Sequence, residues 1–148
     1  MGAATTTREI AFIDRNVDDL AALLAALRPD VQPILLSGDE PAPRQMARAV
    51  LGRDGLAAIH VVAHGRPGEV SFGAGALSRD SIDAYAGELA RIGRALREGA
   101  VQVWSCETAR GRNGADFQNP FGRQPTIFST NCPACCPVRS HARSSSRF

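Results

Sequence analysis

The chain contains no lysine, so all 17 of its basic residues are arginine. An arginine-only set can serve nucleic-acid contact, but here the arginines are scattered among acids along predicted helices. Long apolar runs are also missing, since no stretch approaches the roughly 18 residues that a membrane-spanning helix requires. We therefore predict no nucleic-acid partner and no membrane span.

The N-terminus lacks the apolar core of a secretory signal peptide. From this we expect a cytoplasmic location with reduced thiols. Cysteine is scarce, with four in the chain, and Cys135 and Cys136 are adjacent, where a mutual bridge would be strained. We therefore predict no disulfide framework.

Acidic residues are missing from the last part of the chain. All 15 of them lie between Glu9 and Asp116, whereas residues 118–148 hold four arginines and no acid. Prolines interrupt that segment, which has no apolar period. We divide the chain into an α/β domain at 8–117 and an irregular tail, rich in Pro, Cys, Arg and Ser, at 118–148. A truncated or frame-shifted reading of the gene would produce such a tail.

Four short apolar segments predict the strands of a parallel sheet, namely 9–14, 31–37, 57–63 and 100–105. Helical apolar periods separate them at 17–27, 43–51 and 79–98, the last of which should end at Gly99. Residues 69–72 predict a small extra strand. This alternation indicates an α/β fold, a three-layer parallel sheet with helices on both faces, which ends after its fourth core strand.

Three residues with useful chemistry follow the predicted strands: Asp14, His64 and Cys106. In open parallel sheets, ligands bind beyond the carboxyl ends of the strands. If the third and fourth strands are neighbours, their ends lie about 5 Å apart. His64 and Cys106 would then be placed as a base and a thiol nucleophile.

Each of these residues also has a structural interpretation. Cys106 could be a small buried hydrophobe and His64 a turn residue. Asp14 could orient a base or bind a basic substrate group, but we favour a cap of the first helix. His60, on the third strand, is interpreted as a hydrogen-bonded core histidine. Gly65 lets the backbone approach a ligand, so its N–H is a candidate oxyanion donor.

The tail holds a possible metal-ligand set of Cys132, Cys135, Cys136 and His141. Its spacing matches no standard zinc finger, because strong zinc sites pair two separated ligand couples. We therefore predict no metal and no cofactor.

The segment Ile59 to Gly68, which reads IHVVAHGRPG, resembles a motif of an uncharacterised bacterial family. That family is a domain of unknown function, which commonly opens very large surface or secreted proteins with cadherin-like and calcium-binding repeats. Further similar segments lie at 9–17, 77–96, 103–109 and 114–117, so the resemblance covers about residues 8–117. It implies that longer relatives are extracellular or on the cell surface.

The order of His-Gly and Cys is also similar to the caspase-like cysteine peptidases. The resemblance implies a caspase-like fold, a Cys-His dyad of Cys106 and His64, and a peptide or protein substrate. The backbone N–H groups of Gly65 and Cys106 would be the oxyanion donors. The caspase pentapeptide around the cysteine is absent. Ala63 stands where relatives often have Ser, and Ser105 where they often have Gly.

Two function classes remain open from the sequence. The first is a cysteine hydrolase or peptidase-like domain. The second is a non-catalytic N-terminal module of a bacterial surface or secreted protein. The reactivity of the Cys106 thiol separates them, because an activated cysteine titrates well below the free-thiol pKa of about 8.5.

Overall fold

The structure is a computed structural model that describes residues 8–105 and 127–129. Its strands are β1 Glu9–Asp14, β2 Val31–Leu36, β3 Leu56–Val62, β4 His64–Arg66, β5 Glu69–Phe72, β6 Gly75–Ser78, β7 Leu96–Trp104 and β8 Ile127–Ser129. Its helices are α1 Leu20–Ala26, α2 Ala42–Ala49, a 3-10 turn at Ile82–Tyr85, and α3 Ala86–Ala95.

The larger sheet has the strand order β2-β1-β3-β7-β8, and every neighbouring pair in it is parallel. Apolar residues alternate between its two faces along each strand, because successive side chains of a strand point to opposite sides. In β1, Ile10 and Phe12 pack in the core cluster that includes α2 and α3, whereas Ala11 and Ile13 pack beside α1. The prediction of a parallel α/β sheet with helices on both faces is confirmed.

A second sheet stands at the carboxyl end of β3. It is antiparallel, with the order β4-β5-β6. The extra strand predicted at 69–72 is its middle strand. A two-residue turn of Pro67 and Gly68 joins β4 to β5, and Gly68 has the positive φ of 77° that suits glycine at this position.

The helix predicted at 79–98 is wrong at both ends. The chain forms a 3-10 turn at 82–85, then α3, and β7 begins already at Leu96. Gly99 therefore does not end a helix but lies within β7, at a register irregularity against β3 between Leu56 and Ala58. Within α3 the predicted apolar period is correct, because Leu89 and Ile92 are both buried.

The expectation that the sheet ends after its fourth core strand is also wrong. Residues 127–129 form β8, which pairs in parallel with β7 from Gln102 to Trp104. They belong to the segment at 118–148 that was expected to be irregular. The remainder of that segment lies outside the described residues.

Candidate functional site

Three loops meet around Asp14 at the carboxyl edge of the parallel sheet. The carboxylate is almost fully buried, at 2% exposure. Its Oδ1 accepts a hydrogen bond of 2.9 Å from the backbone N–H of Asn16, and its Oδ2 accepts one of 2.7 Å from that of Gly73. Asp14 thus closes the turn after β1 and ties it to the turn between β5 and β6.

Gly73 is at the closest point between these loops. A Cβ at this position would lie 3.1 Å from Asn16 Nδ2 and 3.3 Å from Gly38 Cα. Such contacts are tighter than side chains normally make, so glycine permits the approach. The turns after β1 and β2 and the β5–β6 turn are therefore packed as one unit beside Asp14.

Asp14 does not cap α1, so the favoured interpretation of this residue is wrong. The helix begins only at Leu20, its N-cap residue Asp19 has a left-handed backbone, and no side chain caps it. Asp14 instead accepts from the N–H two residues later, which is the Asx-turn geometry open to a short carboxylate. Both of its oxygens bind backbone N–H groups of the loops.

His64 begins β4, and its ring is held by the same turn. His64 Nε2 lies 2.9 Å from the backbone oxygen of Asn16. A carbonyl oxygen can only accept a hydrogen bond, so Nε2 carries the proton and donates it. In the neutral ring the lone pair is then on Nδ1, which is the atom available to take a proton.

The carbonyl of Asn16 is the functional group that sequence reasoning missed. Every residue carries a backbone carbonyl, so no residue type or spacing marks this one. The Asx turn of Asp14 orders the backbone at Asn16, and the Asn16 carbonyl in turn orients His64. Asp14 is therefore connected to His64 through the main chain.

The ends of β3 and β7 leave the sheet side by side. Val62 is paired with Trp104, and the N–H of Ala63 donates a hydrogen bond of 3.2 Å to the carbonyl of Trp104. Ser105 follows and is buried, at 1% exposure. The expected neighbourhood of the two core strands is thus present, whereas Cys106 itself lies outside the described residues.

Gly65 lies in the middle of β4. Arg66 and Glu69 flank the two-residue turn and form the first pair of the β4–β5 ladder, followed by Gly65 and Val70. The pair next to such a turn is hydrogen-bonded, and pairs then alternate along an antiparallel ladder. The N–H of Gly65 is therefore directed away from β5, toward the side of β4 on which no strand of the described residues pairs with it.

One glutamine side chain secures the loop after β2. Gln45 Oε1 accepts from the N–H of Ser37 at 2.9 Å, and Gln45 Nε2 donates to the carbonyls of Ser37 and Glu40 at 3.0 and 2.5 Å. The exposed ion pair of Glu40 and Arg48 lies beside it, with the closest atoms 2.6 Å apart. The arginine holds the pKa of Glu40 below its usual value.

Replacing Gln45 with alanine should lower the free energy of unfolding by about 1–3 kcal/mol, because part-buried backbone groups lose their partners. Arg48→Ala is the matched control on the same helix, and it should change little, since exposed ion pairs contribute little to stability. Urea denaturation of both variants checks the difference. Equal effects of the two substitutions would contradict this assignment of the loop contacts.

His60 belongs to a separate group of contacts on the sheet face that α1 covers. Its Nε2 lies 2.9 Å from Glu9 Oε2, and its Nδ1 accepts a hydrogen bond of 3.4 Å from Trp104 Nε1. Glu9 Oε2 also accepts from Arg28 at 2.5 Å. The hydrogen bond from His60, and next that from Arg28, hold the pKa of Glu9 below its usual value. The interpretation of His60 as a hydrogen-bonded histidine is confirmed.

The described part of the chain shows neither a cluster of metal ligands nor a membrane-spanning helix. Within 8–105 and 127–129, no group of three or more metal-ligating side chains converges. In the same part of the chain, no helix is long and apolar enough to cross a membrane. The cysteines and His141 of the candidate zinc set lie outside it.

Most of the chain is similar to a known protein family. A family described as a domain of unknown function, DUF4347, matches residues 10–123. No curated protein and no solved structure matches the chain. The family match begins in β1, runs through both sheets and the Asp14 loops, and spans more than half of the chain. The chain therefore belongs to the family of domains of unknown function DUF4347.

Proposed function

We propose that this domain is a cysteine hydrolase of the peptidase type, with Cys106 as the nucleophile and His64 as the base. The orientation of His64 carries the proposal. His64 Nε2 donates its proton in a hydrogen bond to the Asn16 carbonyl, so the basic Nδ1 is left for a reaction partner. A base held by a third group in this way is the arrangement that nucleophilic catalysis needs.

The chain order of the elements supports a caspase-like arrangement. His64 follows the third core strand and opens a small antiparallel sheet, and Cys106 comes two residues after β7, the strand that pairs with β3. The paired ends of β3 and β7 favour a short distance between the two side chains. The turn that the buried Asp14 closes would support the ring of His64, with Asp14 as a positioning residue rather than a substrate ligand.

In the proposed reaction, His64 Nδ1 takes the proton of the Cys106 thiol. The thiolate attacks the carbonyl carbon of a peptide substrate, forming a carbon–sulfur bond, and the oxyanion accepts hydrogen bonds from the N–H groups of Gly65 and Cys106. His64 then returns the proton to the leaving amine as the carbon–nitrogen bond breaks. Water hydrolyses the thioester, which restores the thiol and releases the acid.

The dyad can be tested through thiol chemistry before any substrate is known. In full-length protein with Cys132, Cys135 and Cys136 replaced with serine, the rate of alkylation by iodoacetamide is measured against pH. A thiol paired with His64 should show its inflection below about pH 7.5, and His64→Gln should return it to about 8.5. His141→Gln is the matched control, and it should leave the inflection in place.

Activity is then measured with a mixture of fluorogenic peptides that vary at the residue before the scissile bond. Loss of a general base typically lowers the rate by about 10²–10⁴-fold, so His64→Gln should do so, and Cys106→Ala should abolish turnover. An inflection near 8.5 that does not respond to His64 would refute the dyad. That result would favour a non-catalytic module of a larger surface or secreted protein.

A further inference from the structure

Three neighbouring strands carry a row of contacting side chains across the face that α1 covers. Glu9 lies on β1, His60 on β3 and Trp104 at the last position of β7. The row is held by the Glu9–His60 contact of 2.9 Å and the Trp104–His60 hydrogen bond of 3.4 Å. The rings of His60 and Trp104 have centroids 6.5 Å apart and planes inclined by 37°.

The hydrogen-bond partners of His60 determine which of its ring nitrogens carries the proton. The indole N–H of Trp104 is a donor only, so Nδ1 of His60 must accept and cannot carry a proton. The carboxylate of Glu9 is an acceptor, so Nε2 carries the single ring proton. The row as it stands therefore requires a neutral imidazole.

We propose that protonation of His60 releases the side chain of Trp104 at the carboxyl end of β7. We call this pair of side chains the latch. When the ring takes up a proton at Nδ1, that nitrogen becomes a donor facing the indole N–H, and their hydrogen bond is lost. Trp104 is half-buried, so its N–H can turn to water instead. The proton-bearing ring stays beside Glu9, whose charge favours it.

The charged groups that the described residues bring to this latch act in opposite directions. Glu9 stabilises the imidazolium by direct contact. Arg28 binds the same carboxylate oxygen and weakens that stabilisation, and Asp30, 3.5 Å from Arg28, in turn binds the arginine.

The position of Trp104 allows the latch to affect the carboxyl end of β7. It is the final residue of β7, its carbonyl accepts from Ala63, and Ser105 follows directly. Release of the indole removes a side-chain anchor from the strand end beside His64. The latch does not depend on the proposed hydrolase activity, since it is formed by His60 and Trp104 and not by the proposed dyad.

Trp104 is the only tryptophan, so its emission reports this site alone. We expect the selectively excited emission of the full chain to change in a one-proton transition between about pH 8 and pH 5. Over the same range, the rate of quenching by neutral acrylamide should rise, because the released indole is more exposed to water. His60→Gln should remove both changes, whereas His64→Gln and His141→Gln should retain them.

Two charge variants add a directional test. Glu9→Gln should move the midpoint to lower pH, because the imidazolium loses its carboxylate, and Arg28→Ala should move it to higher pH. If His60→Gln fails to fold, the indole ¹⁵N–H resonance of the unmodified chain supplies the same readout. A transition that survives in folded His60→Gln, or an indole resonance and emission that do not respond to pH in folded protein, would overturn the latch.

Discussion

Asp14→Ala should lower the free energy of unfolding by about 2–5 kcal/mol, because it removes two hydrogen bonds from backbone N–H groups to a buried carboxylate. The carboxylate is 2% exposed and accepts from Asn16 and Gly73, so water cannot readily replace it. The loss should separate the turn after β1 from the turn between β5 and β6. Denaturant unfolding of the full chain measures the effect.

Asp14→Asn keeps the volume of the side chain and one acceptor oxygen. Its NH2 group, however, would lie opposite one of the two backbone N–H groups, and two donors cannot form a hydrogen bond. It should therefore be less stable than the unmodified protein and more stable than Asp14→Ala. Asp39→Ala is the matched control, because Asp39 is exposed in a neighbouring loop, and it should change stability by less than about 0.5 kcal/mol. A mild effect of Asp14→Ala, equal to that of Asp39→Ala, would contradict the role of Asp14 in joining the loops.

Asp14→Ala should also disturb the orientation of the His64 ring. With the Asx turn lost, the carbonyl of Asn16 is no longer held toward the ring, so the preference for a proton on Nε2 should weaken. The ¹⁵N chemical shifts of the His64 ring report which nitrogen is protonated. A shift toward mixed tautomers in folded Asp14→Ala is the expected result, and an unchanged pattern would show that Asp14 does not act on His64 through the main chain.

Gly99→Ala should cost about 3 kcal/mol or more, because the new methyl group meets backbone rather than a movable side chain. A Cβ at this position would lie 2.5 Å from the carbonyl oxygen of Ala57 and would also clash with that of Leu56. The backbone of β3 or β7 must shift to admit it. The shift would fall at the register irregularity between these two strands.

Gly87→Ala is the matched control for this substitution. Gly87 is exposed within α3, and a Cβ there meets no atom within 4 Å. Alanine in a helix is favoured over glycine by roughly 0.5–1 kcal/mol, so Gly87→Ala should stabilise the protein. Thermal unfolding should thus move in opposite directions for the two variants, and a Gly99→Ala protein as stable as the unmodified chain would contradict the close approach.

Local sequence patterns were sufficient for the first four strands of the parallel sheet. Each core strand is a short apolar segment, and the helical periods between the strands leave the right-handed parallel crossover as the normal connection. That rule also predicted the positions of Asp14 and His64 at the carboxyl edge of the sheet. The spacing of apolar residues also identified the buried face of α3, because the burial of Leu89 and Ile92 depends only on their positions along one helix.

Contacts between distant residues were decided only by the tertiary structure. Asp14 resembles a helix cap in sequence, and its actual partner Gly73 is 59 positions away. Gly99 resembles a helix end, and its role depends on the backbone of β3. The Asn16 carbonyl, which orients His64, has no sequence signature at all. The physical reason is the same in each case: these residues bind main-chain atoms brought near by the packing of loops and strands, and main-chain atoms are identical at nearly every position.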